Sequence, residues 1–479
     1  MNNFELLKKD LQKAFSGMED FFLRTLRFGN DEFLIYYIRG LSAGDAINRF
    51  VISPVSEAYL QGEGANPIES IVVSSGFTAA KSAEEAKNSL LSGNSLLAFA
   101  SMPSDIFGYI CATRNETART NTEPETENVV RGPHEGFNEN AQQSEVLLRR
   151  RIKSERLKSE KMTLGSLTKT DVIIMYIDGL VNEKALGILK KRLCAIRADA
   201  LIDSGSVEMY ISDGKHALYP TVGNSERPDK VAGKILEGRI AVIVDGSPVV
   251  LTVPYLFTEG FQVSEDYAKS TFFATFVRSL RFAAVLFALY LPALFTALVT
   301  HHMDFLPREM ADYMASTREG MTVSLLWEVV TAFIIFEILR EVGLRMPKAV
   351  GSAVGIVGSL ILGESAVSAG IISPFVLIIV AFSAVCNFIC APYMNPNGIY
   401  RFAILLVSGI SGIFGFFTFL TATLLVGCGK SSFGVPYFSP FAPISTDGLS
   451  DFLYMSPIWR QKKVPSCVSG RNLTRTEGK

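Results

Sequence analysis

Two hydrophobic patterns divide the chain. In the first half the apolar runs are short. Residues 33–41 read FLIYYIRGL and residues 172–180 read VIIMYIDGL. Each is rich in β-branched and aromatic residues and closes in a Gly turn, which predicts a buried strand. A segment of helical character follows each run. Residues 90–100 (LLSGNSLLAFA) and 235–244 (ILEGRIAVIV) then predict a helix end closed by Gly93 or Gly238 and another buried strand. The order strand, helix, Gly, strand recurs about 140 residues apart, which predicts two related α/β subdomains at 1–113 and 170–275.

Between them, residues 114–169 form a polar, strand-poor stretch that reads as a linker. In RGPHEGF (131–137), Arg131, Gly132, Pro133 and Gly136 suit a rigid turn joining the subdomains. A bound anion at Arg131 is the alternative. The run LLRRRIKSERLKSEK (147–161) interleaves its cations with Glu155 and Glu160, which predicts a solvated basic helix.

The second half has long apolar runs. Residues 282–303, 365–400 and 402–429 contain no Asp, Glu, Lys or Arg, and each exceeds the roughly 20 residues that cross a bilayer. A helical membrane domain over 276–430 follows, with four or five spans near 282–301, 321–340, 349–364, 371–391 and 402–428, then a tail from 431 to 479. Pro292 is placed to kink the first span. The segment 321–340 is ambiguous because it carries Glu328 and Glu337. Such a helix either lies at the interface or hides its carboxylates against protein. Glu337 and Arg340, three residues apart, share a helix face and predict a protein-buried ion pair. Arg278 and Arg281 before the first span favour a cytoplasmic start. The opening MNNFELLKKDLQKAFSG has no apolar core, so the soluble part is expected to stay on that side.

Within the run 349–364, Gly351, Gly355, Ser359 and Gly363 recur every four residues and form a face without bulk, suited to close helix packing within the chain or around an oligomer axis. Ala353, Val357, Leu360 and Glu364 fall on the opposite face and are candidates for a pore lining. There Val357 and Leu360 would form an apolar constriction and Glu364 a carboxylate ring favouring cations.

Composition narrows the classes further. Charged residues are only 19% of the 479, a deficit that comes from the apolar half. The net charge of −1 excludes a nucleic-acid binder of the basic type. The six cysteines include no CxxC pair and read as small buried apolar residues, and the four histidines suggest no metal site. GCGKSS at 427–432 lacks the first glycine of a phosphate loop, since Leu424 stands there, and it ends a membrane span. No catalytic constellation or cofactor site is visible, so an enzyme is not expected.

Longer segments carry a resemblance. VVRGPHEGFNEN (129–140), LLRRRIKSERLK (147–158), ERPDKVAGKILEGRIAVIVDGSPVVLTVP (226–254) and SEDYA (264–268) look like the soluble region of the A subunits of GerA-type nutrient germinant receptors of spore-forming bacteria. FEILREVGLRMPKAVGSAVGIVGSLILGESAVSAGIISP (336–374) and SFGVPYFSPFAP (432–443) resemble that family's membrane region and tail. The resemblance implies a part in starting germination in response to nutrients, from the spore inner membrane. It implies a permease-like B subunit and a lipoprotein C subunit as partners. It also implies assembly as a homo-oligomeric ring, a pentamer, around an ion-conducting path. Three functions stay open: a nutrient-gated cation channel, a non-conducting scaffold or signal transducer, and a nutrient transporter. The lack of an evident inverted repeat counts against the last.

Overall fold

The computed structural model describes residues 3–474 apart from 29–30, 63–65, 104, 116–122, 125, 128, 130, 215–218, 320, 322, 346–362, 450, 453, 462 and 470–473. The first half is mixed α/β and the second helical.

Helix α1 (Asn3–Ala14) buries Leu7 and Leu11 against a sheet of β1 (Phe21–Phe28), β2 (Asp31–Ile38), β3 (Thr78–Ala79), β4 (Ser95–Phe99) and β5 (Tyr109–Cys111). The strands lie in the order β1-β2-β4-β5-β3, every neighbouring pair antiparallel. Helices α2 (Ser53–Leu60) and α3 (Ala83–Leu91) pack into the same core through Val55 and Leu90.

The second sheet contains β6 (Leu157–Leu164), β7 (Thr170–Ile177), β8 (Gly223–Ser225), β9 (Ile240–Val244) and β10 (Val250–Val253) in the order β6-β7-β9-β10-β8. That is the first order repeated, again antiparallel throughout. Both its faces are covered. Val172, Ile174 and Val242 point into one core with α5 (Glu183–Ala195) and α6 (Ser204–Ile211). Ile173, Met175 and Ile243 point into another with α4 (Ala141–Arg151) and α7 (Pro228–Leu236). Burial of both pleats is why these strands are continuous apolar runs instead of alternating ones. After α3 and α7 the chain turns at Gly93 (φ 97°) and Gly238 (φ 94°), a conformation that glycine adopts without a side-chain clash.

The stretch expected to be a strand-poor linker with a solvated basic helix is built differently. The helix stops at Arg151, and Leu157–Leu164 is the edge strand β6. Its alternation buries Leu157 and Ser159, while Glu160 and Lys161 pair outward with Lys190 and Asp171. Nor is α4 solvated, for it lies between the two sheets. Val146 packs on the first core and Leu147 and Leu148 on the second. Arg149, 1% exposed, donates from Nε and Nη2 to both oxygens of Asp20, at 2.6 and 2.8 Å. A run of arginines suggests solvent, but a bidentate carboxylate 129 residues away removes this one from it.

The helical half comprises α8 (Thr271–His301), α9 (Arg308–Thr317), α10 (Leu325–Arg345), α11 (Pro374–Phe388) and α12 (Ala391–Gly429) among the described residues. Two of these, α8 and α12, are long and apolar enough to cross a membrane by length and composition. Helix α8 begins eleven residues before the first expected span, and Arg278 and Arg281 lie inside it. Helix α12 replaces the single run 402–428 with two arms, because Gly412 breaks it at φ 63°, ψ −147°. A straight helix of its 39 residues would be about 58 Å long. Instead the chain folds back. Tyr400 and Phe419 meet at 6.4 Å, and a Cβ on Gly415 would lie 2.5 Å from the Val407 carbonyl oxygen. His301, at the end of α8, contacts the Gly409 carbonyl through Nε2 at 2.8 Å and seals the bend.

Candidate functional site at the junction of the two halves

The second sheet meets the helices through buried charge. Two short 3-10 turns, Phe257–Phe261 and Ser264–Ala268, follow β10 and lead into α8. Asp266, 1% exposed, accepts from Arg278 Nε at 3.0 Å and Arg281 Nη1 at 2.8 Å. Arg278, itself fully buried, reaches on to Asp451 of the tail at 2.8 Å and to the Phe452 carbonyl at 3.1 Å. One guanidinium thus ties the turn, the first long helix and the tail together.

Beneath it lies a second cluster. Glu259 accepts from Arg239 Nε at 3.0 Å, from the Leu256 amide at 2.9 Å, and pairs with Lys234 Nζ at 3.0 Å. Burial alone would push this carboxyl upward, but Arg239 and Lys234 outweigh it and hold its pKa below the ordinary range. Burial also lowers the Lys234 pKa, against the pull of Glu259. Lys234, Glu259, Lys230, Glu127 and Tyr255 line a cavity of about 570 Å³ that is also bounded by Cys390, in the α11–α12 turn, and Asn395, near the start of α12.

Aromatic packing completes the junction. Tyr393 of α12 sits on Gly260, where a Cβ would come within 2.3 Å of its ring, and its hydroxyl donates to the Phe257 carbonyl. Phe257 also meets Phe438 at 4.9 Å, and a Cβ at Gly427 would strike Phe438 at 2.4 Å. Both ends of α12 therefore return to one aromatic cluster, as its bend requires. The tail then enters the α/β region. Ser432 Oγ donates to the Thr221 carbonyl and accepts from the Tyr255 amide, and Phe433 is buried in the second sheet's core.

The residues singled out from sequence fall elsewhere. Glu337 Oε2 lies 2.9 Å from Arg340 Nη2, and Arg401 of α12 joins them at 2.6 Å on Oε1. Glu328, 1% exposed, accepts from the Ser373 amide at the start of α11 and pairs with Arg318 at 3.1 Å. Arg131, Gly132 and Pro133 are exposed and Gly136 is buried. The Pro133 carbonyl accepts from Arg227 at 3.2 Å and the Phe137 amide donates to Glu226, so the turn rests on the second unit. Gly351, Ala353, Gly355, Val357, Ser359 and Leu360 lie outside the described residues. Gly363 faces Leu377 of α11, and Glu364 is exposed. The junction itself was not visible in the sequence beyond Arg278 and Arg281. Its signal is their i, i+3 spacing at the edge of an apolar run, with SEDYA just before it.

An α/β region pinned by ion pairs to a bundle of apolar helices is the architecture, and comparison with known proteins gives it a family. The family model described as Bacillus/Clostridium GerA spore germination protein matches residues 9–467, and the chain belongs to that family. Spore germination protein KA of Bacillus subtilis (strain 168) is 37% identical over 97% of this chain and 87% of its own length. The uncharacterized membrane protein YfkQ of the same organism is 34% identical over 95% and 89%. Among solved structures, the N-terminal domain of the A subunit of the Bacillus megaterium spore germinant receptor GerK3 aligns with 52% of this chain and 94% of its own, at 30% identity and a TM-score of 0.40.

Proposed function

We propose that this chain is the A subunit of a nutrient germinant receptor in the spore inner membrane, and that it assembles into a homo-oligomeric ring, a pentamer, that conducts cations when nutrient binds the receptor. A permease-like B subunit and a lipoprotein C subunit complete the complex, and the two α/β units, products of a duplication, face the spore core. The observation that carries this reading is the Arg278 link, which joins the α/β region, α8 and the tail through Asp266 and Asp451. Through these ion pairs a displacement of the α/β region would be passed to α8 and to the tail. In this reading Val357 and Leu360 close the pore and Glu364 stands at one mouth. No catalytic step or cofactor enters the proposal.

Reconstitution of the full chain with its partners in liposomes, followed by nutrient-dependent cation efflux, tests it. Efflux that requires this chain and falls with Glu364→Lys supports conduction here. Efflux that is unchanged by Glu364→Lys and by Val357→Ala assigns the pore to another protein and this chain to scaffolding or signal transduction.

A further inference from the structure

The group formed by Glu337, Arg340 and Arg401 is out of charge balance. Its single carboxylate is divided between two guanidiniums, one oxygen to each. The next carboxylate along α10, Glu341, is exposed and taken by Arg345 at 2.7 Å. Arg401 has a side chain only 1% exposed, and its guanidinium lies 4.0 Å above the Phe333 ring, which fixes its plane. Four nitrogens of the pair are buried and have no hydrogen-bond partner among the described residues: Nε and Nη1 of Arg340, and Nε and Nη1 of Arg401. A buried cation short of acceptors is among the costlier arrangements in a protein. It is more so beside helices as apolar as α11 and α12. The Glu337–Arg340 side is 17–21% exposed, which leaves a way in.

We propose that Arg340 and Arg401 form a binding site for a phosphate-type oxyanion, supplied either by an anionic lipid headgroup or by free phosphate. Paired guanidinium forks match the oxygen spacing of a tetrahedral phosphate, and one added negative charge balances the group. Glu337 bridges the two forks, with Arg401 as the most deeply buried member. The site depends on neither conduction nor nutrient binding, so it stands or falls separately from the channel reading.

The test is a titration of the full-length chain in a non-ionic detergent, with the melting midpoint as readout. The probes are inorganic phosphate and, separately, mixed micelles containing phosphatidylglycerol, with phosphatidylcholine as the zwitterionic control. A saturable upward shift with one of the two anionic probes is expected, and which one produces it identifies the source. Arg340→Gln should abolish the shift. Glu337→Gln should strengthen binding by at least about fourfold, the change expected for one charge removed some 5 Å away even at a water-like dielectric. A gain of affinity cannot come from misfolding, so this variant separates a ligand site from a structural triad. No saturable shift with either anion, or weaker binding in Glu337→Gln, overturns the proposal.

Discussion

The two α/β units share one strand order and one helix-ending glycine, yet they are used differently. In each, a Cβ added to the glycine would lie 2.8 Å from a carbonyl oxygen, that of Leu41 at Gly93 and of Leu180 at Gly238. The next neighbour differs. At Gly93 it is Arg114, the residue that continues the same unit, and at Gly238 it is Ser469, from the far end of the chain. The first unit leaves β1 as an edge with Leu23, Arg24 and Thr25 exposed. The second places its 3-10 turns, its buried charges and one of its cores in contact with helices and tail. The sheet therefore does not decide which unit is the anchor. The loop after the last strand does, because it carries Glu259 and Asp266.

Variants that break this asymmetry should rank in a definite order. Arg278→Met removes the buried cation shared by Asp266 and Asp451, leaving Asp266 to Arg281 and Asp451 to the Tyr267 hydroxyl, at about 3–5 kcal/mol. The full chain should then fail to give a monodisperse species in detergent, as read by size exclusion. Arg149→Met should cost about 3 kcal/mol and act between the units. Hydrogen exchange should rise along β1 and α1 while the junction at Phe257–Phe261 stays protected. Gly93→Ala and Gly238→Ala each force a side chain into a left-handed backbone against a carbonyl and should cost roughly 2 kcal/mol. The two melting points should fall by similar amounts, and a large difference would show that tail contact, not turn geometry, dominates at Gly238.

The smallest effect concerns pH. Glu259 has a folded pKa below its unfolded value, so its contribution is full above the unfolded pKa of about 4.3 and is lost as pH falls through the folded pKa. As pH falls from about 4.3 towards the folded pKa, the melting temperature of Glu259→Gln should decline less steeply than that of the parent chain. Equal slopes would remove Glu259 from the junction's electrostatics.

How far this could be read in advance depends on how local each signal is. The strands at 33–41 and 172–180 and the turns at Gly93 and Gly238 were legible, because a run of β-branched residues ending in glycine encodes them over a few positions. Strand β6 was not, since LKSEKMTL is an edge strand whose outward charges hide the alternation. The bend at Gly412 was hidden for another reason. Gly409, Gly412 and Gly415 look alike in an apolar run, and the break falls at Gly412, which lies against both His301 and His302. The junction depends on partners far apart in sequence, such as Arg278 and Asp451, 173 residues apart. No local pattern announces a buried pair of that kind. Arg149 was misleading for the same reason, since its environment is set by Asp20.

The tail's entry into the second core has a consequence for the order of events during synthesis. Phe433 lies among residues of the second sheet, and Ser432 bridges Thr221 and Tyr255, which precede it by 211 and 177 residues. Every helix of the apolar half must leave the ribosome before those contacts exist. The first unit has no such debt to later sequence, since its core is drawn from residues 4–111 with Val146 against its flank. Synthesis at about 5–20 residues per second would expose an unfinished second core for many seconds after the first has closed. The second unit is therefore completed only after the whole apolar half has been made, although it precedes that half in the sequence.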